Sequence, residues 1–158
     1  MAMDQVDIET ILSEVREALS EENWDRAVTL VQSLRPPDQA DLFGELPDVE
    51  QDELLPRLDL ENSADILEEL KDDQAAEVAL RLETEQLARL LDEMEPDKAA
   101  DLLGDIPPVR AAEALAVMDA EEEIQPLLAY ADERAGGLMT TVEVALRKGM
   151  TAEQAIAH

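Results

Sequence analysis

A chain of 158 residues with a formal charge of -28 and an apolar fraction of 46% is long enough to bury one core. Its field repels phosphate backbones and anionic lipid heads, so nucleic acid and direct lipid binding are not expected, and cations or a basic protein surface remain as partners. It has no cysteine and a single histidine, the terminal His158, which excludes disulfides, thiolate and zinc sites and Ser-His-Asp or Cys-His catalysis by this chain alone. There is no Gly-rich phosphate loop, no apolar stretch of membrane-spanning length and no basic-then-apolar leader, so no direct membrane insertion and no secretory signal are expected.

Two amphipathic helices open the chain. Ile8, Ile11, Leu12, Val15 and Leu19 form the apolar stripe of the first. Trp24, Ala27, Val28, Val31 and Leu34 form that of the second, with Glu21, Glu22 and Asn23 as the corner. Residues 1–35 are therefore expected to cap the segment that begins at Pro36, and Trp24 reads as packing because it lies on the stripe.

From Pro36 onward a twelve-residue repeat runs without a slip. Ala40, Asp52, Ala64, Ala76, Ala88, Ala100, Ala112 and Ile124 share one column, position 0. Position +3 is then Phe43, Leu55, Leu67, Ala79, Leu91, Leu103, Leu115 and Leu127, and position +6 is Leu46, Leu58, Leu70, Leu82, Met94, Ile106, Met118 and Tyr130. Apolar positions at 0, +2, +3 and +6 lie on one stripe of a helix and cannot line one face of a strand. Each unit is thus one short helix and a corner. Pro36, Pro96 and Pro108 stand where a first helical residue belongs, with the cap-type residues Asp48, Asp72 and Thr84 in the same column. Such short helices are marginal alone, so the array is expected to be a solenoid whose core runs between successive helices. Pro56 and Pro126 fall inside predicted helices, where bends or shortened turns are expected.

After Tyr130 the phrasing changes. Gly136 and Gly137 stop the last helix, Val142, Val144 and Leu146 alternate as a short extended segment, and Thr151 with Gln154 forms a capping-box pair. The expected organisation is residues 1–35 as capping helices, 36–135 as the repeat array, and 136–158 as the junction and truncated start of a second domain.

Together these residues resemble the cytosolic N-terminal domain of MgtE-type magnesium transporters and the first residues of the CBS domain that follows it. The junction, Glu133-Arg134-Ala135-Gly136-Gly137-Leu138-Met139-Thr140 with Val144-Ala145-Leu146 and Gly149-Met150-Thr151, is the most specific part, and units such as Glu95-Pro96-Asp97-Lys98-Ala99-Ala100-Asp101-Leu102-Leu103 look like the superhelix. The resemblance implies an all-α, right-handed superhelical solenoid followed by the start of an α/β CBS domain. It also implies a regulatory, non-enzymatic role at the cytoplasmic face of the bacterial plasma membrane: a homodimeric, channel-like transporter whose cytosolic domains bind Mg²⁺ weakly and hold the pore closed when the ion is abundant. The expected partners are the protein's own CBS and transmembrane domains. Asp97 and Asp101, at i and i+4 on one polar helix face, resemble family positions facing the CBS domain, and Asp73 begins the corresponding helix two units earlier.

Plainer readings stand beside these. Asp73 and Asp97 also suit helix N-termini without any metal, and the overall acidity also suits solvation in a salty cytoplasm. A helical interaction scaffold, FliG-like or a soluble N-domain/CBS regulator, is the rival class.

Overall fold

The computed structural model describes residues 5–128, with side chains from residue 8 onward. Seven consecutive helices begin at twelve-residue intervals, and the first residue of each comes from a single sequence column. These are α3 (Pro36–Gly44), α4 (Asp48–Leu54), α5 (Leu60–Glu69), α6 (Asp72–Arg81), α7 (Thr84–Glu93), α8 (Pro96–Asp105) and α9 (Pro108–Leu115). Helices α1 (Gln5–Ser20) and α2 (Trp24–Gln32) precede them and α10 (Glu121–Leu128) follows. Among the described residues the fold is all-α. The expected domain start at 136–158, the paired glycines and Tyr130 lie outside the described residues.

The period of twelve has a local cause. From α5 to α7 each helix has ten residues and is followed by a two-residue extended corner. The first corner residue is the position +6 anchor: Leu70, Leu82 and Met94 close their helices in extended backbone, as Ile106 does after α8. Leu70, Met94 and Ile106 are buried there, and Leu82 partly so. Turning the corner therefore plugs the core instead of exposing backbone to it.

The same geometry corrects one expectation. Asp48, Asp72 and Thr84 are first helical residues and not caps, and the residues before them, Pro47, Lys71 and Glu83, cap with no side-chain bond. The extended corner leaves only one residue between the buried anchor and the helix, so the column falls one place inside. Acids there still face the positive end of the helix dipole. Side-chain caps occur at Asn23, whose Oδ1 accepts from the Arg26 N–H at 3.2 Å, and at Asp59, whose Oδ1 accepts from the Asn62 N–H at 2.8 Å.

Pro56 shortens its unit as expected. Helix α4 stops at Leu54, and Leu55–Arg57 form a 3-10 turn. Pro126 lies inside α10 and is exposed. That helix starts at Glu121, one residue later than the period requires, so the phase slips once near the described end.

Stacking differs from the expected contact between successive helices. Alternate helices pack most regularly: α1, α3, α5, α7 and α9 make one row, and α2, α4, α6, α8 and α10 a second. Residues about two units apart are consequently neighbours. The Gln39 Nε2 donates to Asn62 Oδ1 at 2.7 Å, and Arg81 reaches back to Gln51 Oε1 at 2.6 Å and Asp52 Oδ1 at 2.8 Å. Arg110 bonds the Leu82 carbonyl and Thr84 Oγ1 in the same way.

The core follows the repeat. Positions 0, +2, +3 and +6 supply most of it, including Leu42, Phe43, Ile66, Leu91 and Leu102. Asp52, in column 0, is exposed and paired with Arg81, which explains why that unit tolerates an acid in the apolar code. The column just before position 0 is buried as well: Gln39, Gln51, Ser63, Ala75, Leu87 and Ala99. Helices α1 and α2 continue both rows, with Ala27 and Val31 buried and Trp24 half-buried beneath the Arg57 guanidinium, 4.4 Å from its ring centroid.

Candidate acidic site

Asp73 lies in the first turn of α6 and Asp97 in the first turn of α8, two helices stacked in the same row. As the second residue of its helix, each occupies the same place one layer apart, and both are exposed with no ion pair among the described residues. Asp101 follows one turn along α8 and is also exposed.

Asp101 lines a narrow cleft of about 40 Å³ between the end of α5, the start of α6 and α8. Glu68, Asp72, Lys98 and Asp105 share its wall, whereas Asp73 and Asp97 do not. The structure therefore separates the three sequence candidates. Asp101 joins acids from other units, and Asp73 and Asp97 form a stepped pair outside the cleft.

Glu68 is the electrostatically distinctive member. Its Oε1 accepts from the backbone N–H of Glu95, the residue that caps α8, at 2.7 Å. Partial burial pushes its carboxyl above the ordinary glutamate range. The Glu95 N–H opposes that shift, the Glu95 and Asp65 carboxylates add to it, and Lys98 opposes it. Glu68 thus holds its proton more tightly than a free glutamate, because charging it means desolvating it beside like charges.

Carboxylate oxygens are the hard donors that Mg²⁺ prefers, and the ion commonly retains several waters when one or two carboxylates hold it. Among the described residues no three acidic, histidine or cysteine side chains are arranged to hold a metal. An ion on Asp73, Asp97 or Asp101 would therefore complete its shell from water or from a second surface, which fits the donor set present. The cleft has room for only one or two waters.

Glu68 and Asp105 are the cleft residues that reading along the sequence missed. The signal that finds Glu68 is the two-row stacking, which brings the end of α5 beside the start of α8, whereas Asp105 stands one turn beyond Asp101 on α8 itself. A single period of twelve does not reveal the stacking.

Among the described residues no helix is long and apolar enough to cross a membrane. The fold is similar to a crystal structure of the soluble part of a magnesium transporter, with TM-score 0.75 and 26% identity over 85% of this chain and 54% of that one. It is also similar to a crystal structure of the cytosolic domain of the Mg²⁺ channel MgtE in complex with ATP, with TM-score 0.74 and 28% identity over 92% of this chain and 61% of that one. The chain thus spans less than two thirds of the length of either neighbour. No curated protein matches it in sequence. Residues 34–133, the repeat array from the end of α2 onward, match the MgtE intracellular N domain, and the chain belongs to that family.

Proposed function

We propose that this chain is the Mg²⁺-responsive regulatory part of a magnesium transporter or channel, acting at the cytoplasmic face of the membrane, and that it is not an enzyme. Asp73, Asp97 and Asp101 would supply one or two carboxylates to each bound ion, with water and a facing surface of the protein's own CBS domain completing the shell. The observation that carries this reading is the stepped pair Asp73 and Asp97, exposed at equivalent helix starts in a chain of charge -28. Acidic surfaces facing one another repel, and a divalent cation between them reverses that sign. Mg²⁺ would then select a compact arrangement of the cytosolic domains in a homodimeric parent, and that arrangement would disfavour the open pore. Residues 1–35 and 36–135 would act as one regulatory body, and residues 136–158 would lead into the CBS domain.

The test uses the parent protein. Replacing Asp97 and Asp101 together by Ala should leave ion selectivity unchanged and let transport persist at higher Mg²⁺, because the lost ligands reduce the ion's preference for the compact form. Protease protection of the cytosolic region should likewise require more Mg²⁺. Closure and protection at the wild-type concentration would return Asp97 to the role of a helix-start acid and Asp101 to that of a solvated surface acid.

A further inference from the structure

Two departures from the repeat meet in one groove. Every other helix of the seven-helix register starts with Pro, Asp or Thr, but α5 starts with Leu60, which is 43% exposed. The column just after position 0 is acidic at Asp41, Glu53, Asp65, Glu77, Asp101 and Glu113 and neutral at Gln125, yet α7 carries Arg89 there. Both residues, with Pro56, Leu58, Leu82 and Gln86, line a groove of about 170 Å³ between α5 and α7. The groove lies beside the 3-10 turn around Pro56, where the helical code also breaks.

Neither departure has a structural role that would account for it. Leu60 spends apolar surface on solvent at a place where other units use a polar or proline residue. Arg89 makes no ion pair among the described residues, and its Nε reaches only the Glu85 carbonyl of its own helix, at 3.4 Å. By contrast Arg81 and Arg110 both tie layers together. An apolar groove with room for one large side chain, rimmed by an unneutralised guanidinium, is complementary to an apolar group beside an anion.

We propose that this groove docks an amphipathic helix of a partner protein that presents one Leu, Met or Phe side chain and, one turn away, a carboxylate for Arg89. The partner segment carries no net negative charge, because the long-range field of this chain would repel one that did. The same field disfavours a second copy as the occupant. Helix-in-groove recognition of this kind places its anchors at i and i+4.

The full chain, isotopically labelled, would be titrated with a synthetic helical peptide of zero net charge carrying Leu and Glu at i and i+4. Amide shifts should concentrate around Leu60, Gln86 and Arg89. Changing the peptide's Glu to Gln should weaken binding about 1.4-fold to fivefold, the range of an exposed ion pair, and Arg89→Gln should abolish that difference as a double-mutant cycle requires. Leu60→Asp restores the polar character of its column, so it should keep the circular dichroism and melting of wild type and weaken binding by about tenfold or more. Equal affinity for the Glu and Gln peptides, unchanged binding by Leu60→Asp, or no groove shifts at millimolar peptide would overturn the proposal. So would self-association of the chain that Leu60→Asp removes, since the occupant would then be a second copy.

Discussion

The two halves of the array build the same geometry from different interiors. In α3, α4 and α5 the column before position 0 is Gln39, Gln51 and Ser63, all buried. In α6, α7, α8 and α9 it is Ala75, Leu87, Ala99 and Ala111. The first half is held by directional bonds inside the core. Gln39 Nε2 donates to the Leu34 carbonyl and Asn62 Oδ1, Gln51 Nε2 donates to the Phe43 carbonyl at 2.8 Å, and Ser63 Oγ donates to the Leu55 carbonyl at 3.1 Å. The second half keeps its column apolar and moves the ties to the rim, where Asp92 of α7 reaches the start of α10, Arg110 of α9 reaches back to α7, and Glu68 at the end of α5 holds the start of α8. Backbone geometry therefore does not require polar groups inside. They cluster around α4, which Pro56 shortens, whereas apolar residues, small or as large as Leu87, suffice in α6, α7 and α8, which have ten residues each.

The largest expected effect tests the apolar half. Leu102 is 4% exposed at position +2 of α8, and Leu102→Ala should destabilise the chain by about 2–5 kcal/mol through the cavity it leaves. Chemical denaturation measures it. A loss below about 1 kcal/mol would mean that the rows of helices close up around the gap.

The polar half should respond differently. Gln51→Leu keeps size and burial but removes one donor to the Phe43 carbonyl, which still accepts from the Leu46 N–H, and the acceptor of Arg81 Nη2, which keeps Asp48 and Asp52, costing about 1–3 kcal/mol for the two hydrogen bonds together. Ser63→Ala, which brings that unit closer to the second-half pattern, should cost only about 0.5–1.5 kcal/mol. If both changes are neutral, the interior hydrogen bonds do not hold the first half.

At the rim of the second half, the Asp92 carboxylate accepts from the N–H groups of Asp119 and Ala120 at 3.0 and 2.9 Å, just before α10. It meets the chain where the period slips by one residue. Asp92→Ala should cost about 0.5–2 kcal/mol, the range of a lost helix cap, and should raise amide exchange in α10 more than in α8.

The period of twelve, the helix starts and the four apolar positions were legible in the sequence because each depends on a single residue type recurring locally. Two facts were not. That Asp48, Asp72 and Thr84, in the first-residue column with Pro36, Pro96 and Pro108, do not cap their helices depends on the extended corner, which a Leu or Met at +6 does not announce. The neighbourhood of Asp101 depends on which helix stacks on which, and the twelve-residue pattern is satisfied equally by successive or alternate stacking. Glu68 stayed hidden for that reason, whereas Asp105, one turn beyond Asp101 on α8, was within reach of the same helical wheel that placed Asp73, Asp97 and Asp101 on exposed surface.

The smallest effect concerns Glu68, and its sign separates a structural tie from an electrostatic burden. Partial burial, with repulsion from Glu95 and Asp65, raises its carboxyl pKa above the unfolded value, so the folded chain binds the proton more tightly than the unfolded chain does. Stability linked to this group is therefore fully present below the unfolded pKa and is lost as pH rises through the folded one. Glu68→Gln removes the charge, and its side-chain oxygen can still accept from the Glu95 N–H, so the tie survives while the burden goes. The variant should melt slightly above wild type at neutral pH, and the difference should shrink as the solution is acidified below the carboxylate range. A variant less stable than wild type at neutral pH would show that the ionised carboxylate gains more from the Glu95 N–H and Lys98 than it loses by burial, and that Glu68 stabilises the start of α8 through its charge.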